Sequence, residues 1–229
     1  SRVRARLWAW LVYCLTPGVR SWGELDAHWL PRIDEGTPTD RITGKAAPRR
    51  RVFYRYYRTG DDPGALKGLN GKRLVSVVHK EESMSPATDL FDSAFWALVG
   101  ETEFPTEYVR PLHQALMVKL GLIRLTPTER ILARRANLPS THYENRKLRN
   151  VERAAKQVAD IASLDAIALL ACAFMLAKDA LSFREAAVYL DAIRQALRAF
   201  AKKWNADEDV NRSLAGLVER RILRRTKEA

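Results

Sequence analysis

The apolar positions of this chain recur mostly at helical spacing. Arg4 to Leu15 reads as an amphipathic helix that stops at Thr16-Pro17-Gly18. Ser21, with Glu24 three residues on, makes a capping box for a short second helix carrying Trp22, Leu25, Trp29 and Leu30 as far as Pro31. The polar, Gly-, Pro- and Thr-containing stretch from Asp34 to Pro48 predicts a loop. Two segments depart from the helical pattern. Arg51–Arg58 and Leu74–Val78 concentrate aromatic and β-branched residues and predict β-strands, with Gly60, Gly64, Gly68 and Gly71 between them. Two helices followed by two strands suit a small winged-helix-like unit.

After His79 the spacing is helical again. Thr88 is expected to cap a helix bearing Phe91, Ala94, Phe95 and Leu98. Pro105 opens the next, with Tyr108, Leu112, Ala115, Leu116 and Leu120 aligned and Gly121 closing it. Thr126-Pro127-Thr128-Glu129 starts another that Asn137-Leu138-Pro139 breaks, and Thr141 with Glu144 begins a long helix through Ala162. Ser163 caps a segment reaching Lys178 that is apolar nearly all round, which predicts a helix at the centre of a bundle. Ser182 and Glu185 form a further capping box ahead of a stripe of Ala186, Leu190, Ile193, Leu197, Ala201 and Trp204. A last helix carries Val210, Leu214, Leu217, Val218 and Ile222. No repeat at solenoid spacing is present. The expected fold is therefore mainly α, with an N-terminal α+β part over residues 1–83 and an all-α bundle over 84–229.

Composition adds a partner to this picture. The chain has 229 residues, 47% of them apolar, enough for a real core and too many for disorder. Its 39 Lys+Arg against 27 Asp+Glu leave a net charge of +12, a self-repulsion most easily tolerated beside a polyanion. Nucleic acid is the first such partner and anionic membrane the second; a basic protein that is merely soluble is the bland alternative. Arg2, Arg4 and Arg6 before Leu7–Leu15 have the charge and length of a signal peptide. No small-x-small site follows, however, and Trp8, Trp10 and Tyr13 are bulky for its apolar core, so a core helix is expected. The run from Ile161 to Ala177 is short and interrupted by Asp165, which argues against a membrane span. Cys14 and Cys172 lie in apolar runs without a CxxC pair, which suits a reducing, cytoplasmic setting. Both, with Trp96 and Trp204, are expected to be buried.

Candidate chemistry is cationic. Lys45, Arg49, Arg50, Arg51, Arg55 and Arg58 interleave with Phe53, Tyr54, Tyr56 and Tyr57. Arginine forks bind phosphates in bidentate fashion, and tyrosines bond phosphate or stack on unpaired bases. On a strand, Arg51, Phe53, Arg55 and Tyr57 would share one face, left free for a phosphate backbone; Val52, Tyr54, Tyr56 and Arg58 would share the other, which packs inward. An edge strand charged against aggregation is the structural alternative. Further rows come from Arg130, Arg134 and Arg135, from Arg146, Lys147, Arg149, Arg153 and Lys156, and from Arg194, Arg198 and Lys202, where a solvated face is the alternative. The passage from Pro105–Leu122 into Ile123–Thr126 has the form of a recognition helix entering a wing strand, and the Trp22–Pro31 helix is a second weak candidate of that kind.

Enzyme signals are poorer. His28, His79, His113 and His142 are scattered without an HExxH motif. Gly68 and Gly71 are separated by two residues where a Walker A loop needs four. Asp61-Asp62 and His79–Glu82 could hold a nuclease metal but read as a loop and a strand end. The sequence thus predicts a non-enzymatic nucleic-acid-binding protein without cofactor or metal, with DNA favoured over RNA, of the regulatory or maintenance kind found among plasmid and phage proteins. The alternatives are a helical subunit of a nucleoprotein complex that cradles a guide RNA or displaced strand, an interaction protein for an acidic partner, and a metal-dependent nuclease.

Overall fold

The computed structural model describes residues 2–33, 51–65, 73–100, 104–122 and 146–223, with the backbone alone for Ala65 and residues 146–150. The described residues are mainly helical, and no β-strand occurs among them. By internal contacts the chain divides into two compact units. One comprises Ser1–Trp96 with Ala206–Leu214, and the other Ala97–Asn205 with Ala215–Ala229.

In the first unit, α1 (Arg2–Leu15) packs on α3 (Val52–Thr59) and α5 (Ser85–Phe91), and α2 (Trp22–Trp29) lies against α3. Ser21 caps α2 as the sequence predicts, its hydroxyl accepting the Glu24 N–H at 3.2 Å. Thr16 locks the end of α1 to α2: its hydroxyl donates to the Val12 carbonyl at 2.6 Å and accepts the Trp29 indole N–H at 3.0 Å. At the centre Trp8 is fully buried and stacked on Phe53, ring centroids 5.6 Å apart.

The two predicted strands are both helices, and with them the winged-helix-like element falls. Residues 51–58 enter α3 because Val52, Phe53, Tyr56 and Tyr57 recur at i, i+1, i+4 and i+5, and all four are buried. A strand would send Val52 and Tyr56 to one side and Phe53 and Tyr57 to the other. Only a helix puts all four on one face, so the period outweighs the β-propensity of the individual residues. Residues 74–78 form α4 (Leu74–Val78) for the same reason, with Leu74, Val75 and Val78 buried. The start of α3 is secured from a distance. The buried Asp26 carboxylate accepts the N–H groups of Val52 and Phe53 at 2.8 and 3.0 Å, two of the donors a helix leaves unpaired at its first turn.

Thr88 does not begin a helix. It lies inside α5, which opens at Ser85-Pro86, and its hydroxyl bonds back to the Met84 carbonyl at 3.3 Å. The expected single helix is interrupted after Phe91 and resumes as α6 (Phe95–Leu98), where the buried Ser93 hydroxyl accepts the Phe95 N–H at 3.2 Å.

In the second unit, α7 (Val109–Lys119) packs on α9 (Leu164–Asp179), and α10 (Phe183–Trp204) runs along both α8 (Arg146–Asp160) and α9. The predicted central helix is there: Ser163 caps α9 through a 3.1 Å bond to the Ala166 N–H, and residues 164–174 are buried without a break. On α7 the buried residues are Val109 and Leu116, while Tyr108 just before it is 56% exposed. The buried stripe of α10 is Ala186, Ala192, Ile193, Ala196 and Phe200, rotated away from the expected one, so Leu190, Leu197 and Trp204 are only half-buried. The alanines let neighbouring backbones approach closely, and the large side chains then stand at the margin of the contact. Ser182 is the N-cap residue of α10, but its side chain makes no capping bond.

Along α11 (Glu208–Val218) and the π-helical turn Glu219–Leu223, Val210, Leu214, Val218 and Ile222 are all buried. A strict spacing of four drifts on an α-helix, and the wider π turn at the end accommodates it. Cys172 is buried as expected, and burial pushes its thiol pKa up to about 12, whereas Cys14 is exposed. Among the described residues, no helix is long and apolar enough to cross a membrane.

Candidate nucleic-acid interface

The helical form of α3 redistributes its side chains. Arg51, its N-cap residue, and Arg55 and Arg58 stand at i, i+4 and i+7 on the exposed side, opposite Phe53, Tyr56 and Tyr57. The expected pairing of Arg51 and Arg55 with Phe53 and Tyr57 on one face is therefore wrong, since a helix separates them. Tyr56 is buried, but Tyr54 is half-buried beside Trp22 rather than turned into the core. The Arg55 guanidinium lies 5.7 Å from the Tyr56 ring centre and 3.5 Å from the Asp61 carboxylate, with both ionic partners exposed. Such a pair holds Arg55 loosely and leaves it available to a stronger anion.

A second row lies on α10. Arg194, Arg198 and Lys202 are exposed at successive i+4 positions, and Lys203 is exposed beside them. Arg194 is held by Asp191 at 3.0 Å. No described carboxylate lies within ion-pair distance of Arg198 or Lys202. Like charges four apart on a helix repel by about 0.2–0.5 kcal/mol per pair, so the row is mildly unfavourable until an anion covers it.

On α8, Arg153 and Lys156 are exposed, opposite the buried Ala155, Val158 and Ala159. Arg146, Lys147 and Arg149 lie on the first turns of the same helix, and their side chains fall outside the described residues. So do Lys45, Arg49 and Arg50, the row of Arg130, Arg134 and Arg135, the expected wing strand Ile123–Thr126, and the helix starts at Thr126 and Thr141.

Several contacts have no signal in the sequence. The Tyr57 hydroxyl donates to the Asp207 carboxylate across 150 positions; burial first, and then this bond, raise the tyrosine pKa well above its usual value, while the bond holds the aspartate below its own. Arg6 Nε donates to the Tyr57 carbonyl at 2.9 Å. Arg4 lies over the Phe91 ring at 3.9 Å and 3.8 Å from Asp92; burial lowers its pKa, and its Nε has no hydrogen-bond partner among the described residues.

The residues considered for a nuclease metal are engaged elsewhere. Asp61 pairs with Arg55, Asp62 accepts the Gly64 N–H at 2.9 Å, Glu81 pairs with Arg32 at 2.7 Å, and His79 Nε2 accepts the Trp8 indole N–H at 3.2 Å. Among the described residues, no three His, Cys, Asp or Glu side chains group so as to hold a metal ion. The described candidate cations lie on exposed helix faces, Arg51, Arg55 and Arg58 in the first unit and Arg153, Lys156, Arg194, Arg198 and Lys202 in the second. No protein-family model, curated protein or solved structure matches this chain.

Proposed function

We propose that this chain binds nucleic acid, DNA in preference to RNA, through contacts between its arginine and lysine rows and the phosphate backbone, in a regulatory or maintenance role and without catalysis. The observation that carries the reading is the exposed row Arg194, Arg198 and Lys202 on α10, of which the last two face no described carboxylate, in a chain of net charge +12. The exposed Arg51, Arg55 and Arg58 of α3 and Arg153 and Lys156 of α8 supply further contacts of the same chemistry. Polarisation titrations of a labelled duplex at several salt concentrations test it. Log affinity should fall with log salt at a slope of about −0.9 per phosphate contact. Absence of binding at low salt refutes the reading, and equal binding to polyglutamate transfers the surface to an acidic protein partner.

A second reading, membership of a nucleoprotein complex, is favoured by Leu181 and Phe183. They stand 73% and 66% exposed at the turn between α9 and α10, an apolar surface that a protein partner would cover.

A further inference from the structure

We infer that the half-buried aromatic group of Trp10, Tyr13, Trp22 and Tyr54 around Tyr57 is a stacking platform for unpaired nucleobases. The inference rests on the nucleic-acid reading and specifies the form of the ligand. Four of the rings make a closed circuit of near-parallel neighbours. Tyr13 and Trp22 stack at 4.7 Å and 28°, and Trp22 and Tyr57 at 5.0 Å and 25°. Trp10 completes the circuit, 5.8 Å from Tyr57 at 33° and 5.9 Å from Tyr13 at 30°. Tyr54 joins from α3, its ring centre 6.0 Å from that of Trp22.

The other aromatic group of this unit has a different design. Trp8 is fully buried and meets Tyr56, His79 and Phe91 edge to face at 63–64°, the mixed geometry of an ordinary core. In the outer group, by contrast, Trp10, Tyr13, Trp22 and Tyr54 all keep part of their surface in water. Three helices, α1, α2 and α3, deliver these rings to one place, and aromatic area left wet is stabilised when a flat partner covers it.

Charge selects the partner. Arg58 is exposed one turn after Tyr54 on α3 and acts electrostatically on Asp207, Arg20 is exposed two residues before Trp22, and the Arg6 guanidinium lies 5.8 Å from the Tyr57 ring centre. Of the nearby acids, Asp207 accepts the Tyr57 hydroxyl, Asp209 pairs with Arg212 at 3.6 Å, and Glu24 accepts the Arg20 backbone N–H at 2.7 Å. Aromatic faces beside arginines fit a strand that offers both bases and phosphates. A duplex keeps its base faces stacked inside and presents only phosphates and groove edges, so the rings would distinguish unpaired from paired nucleic acid.

The test titrates the full chain with an oligothymidylate, with a duplex of equal length, and with an abasic strand that keeps the phosphates and lacks the bases, following polarisation and tryptophan emission together. The oligothymidylate should bind more tightly than the abasic strand and quench the emission, and Trp22→Leu should abolish most of the quench. Trp22→Leu and, should that variant fail to fold, Tyr54→Leu should each weaken oligothymidylate binding about 5- to 100-fold while duplex binding stays unchanged. Equal affinity for the abasic strand, or full affinity in both variants, overturns the inference while leaving phosphate binding intact. Quenching by a proline-rich peptide in place of the oligonucleotide assigns the rings to a protein partner and overturns it too. If none of the three nucleic acids binds at low salt, the nucleic-acid reading itself has failed.

Discussion

The Lys119 ammonium stands 2.5 Å from the Asp165 carboxylate, joining the last turn of α7 to the first turn of α9. The two ends of the pair differ: Lys119 is 49% exposed, Asp165 only 7%. An acid this deep is stabilised by its position near the positive end of a helix and by the ammonium beside it, and removing that ammonium takes away part of the compensation for its burial. Lys119→Met should therefore lower stability by about 1–3 kcal/mol, less than for a fully buried pair because water reaches the lysine. Urea unfolding measures it, and an unchanged midpoint would show that Asp165 does not depend on Lys119.

Gly60 and Gly18 both have left-handed backbones, with φ of 73° and 75°, but only Gly60 is crowded. A Cβ there would come within 2.6 Å of the Arg2 carbonyl oxygen and the Arg2 Cβ, whereas one on Gly18 would meet nothing within 4 Å. Gly18→Ala should cost about 1–2 kcal/mol, the price of the left-handed conformation. Gly60→Ala adds a backbone clash that α1 must move to relieve and should cost about 2–4 kcal/mol in all. Equal melting temperatures for the two variants would mean that α1 and the end of α3 do not meet as closely as described.

Asp26→Ala should destabilise the chain by about 1–3 kcal/mol, because it leaves the buried N–H groups of Val52 and Phe53 without an acceptor. Far-UV circular dichroism during unfolding reads the change. Asp26→Asn, which keeps one carbonyl acceptor, should recover part of the loss.

His79 gives the fold a sensitivity to acid. Its Nε2 accepts the Trp8 N–H, so the ring is neutral in the folded chain, and burial lowers its pKa from 6.5; among the nearby charges Asp92 opposes the lowering and Arg4 adds to it. A folded pKa below the unfolded one means that the unfolded chain takes up the proton first. This contribution to stability is thus complete above pH 6.5 and is lost as pH falls through the folded pKa. Burial lowers the pKa of His28 and His113 as well, so they add to the same slope. His79→Gln keeps an acceptor for Trp8 and does not titrate. It should flatten the fall in melting temperature between pH 7 and pH 5, and an unchanged fall would assign the slope to the other groups.

The cationic rows can be ranked against one another. Arg198→Gln with Lys202→Gln on α10, and Arg51→Ala with Arg55→Ala on α3, should each reduce the salt slope of duplex binding by about 2 if both side chains of the pair touch phosphate. Stability should shift by no more than about 0.5 kcal/mol in either case, since all four side chains are exposed. A pair whose removal leaves affinity and slope unchanged belongs to a solvated face.

The sequence by itself determined the helical class, the caps at Ser21 and Ser163, the buried centre of α9 and the apolar line of α11. These features are local: a hydroxyl three residues from the N–H it caps, or a repeat close to one helical turn, is written into consecutive positions. It also determined that Arg51 and Arg55 are exposed, whereas Arg58, which a strand would have turned inward with Val52, is exposed because the segment is a helix.

What consecutive positions leave open, the tertiary structure decided. The segment RVFYRYYR satisfies a strand by residue type and a helix by period. The outcome follows from partners far away: the Trp8 ring that Phe53 stacks on and the Asp26 carboxylate that takes the first N–H groups of α3. The same holds for the choice of stripe on α10, where close helix packing favours alanines over the leucines that a hydrophobicity pattern selects. The aromatic circuit of Trp10, Tyr13, Trp22 and Tyr57 has no trace in spacing at all, since its rings come from three helices. Local rules fix which side of an element is apolar; only packing fixes what that side meets, because burial and hydrogen bonding depend on neighbours the chain reaches by folding.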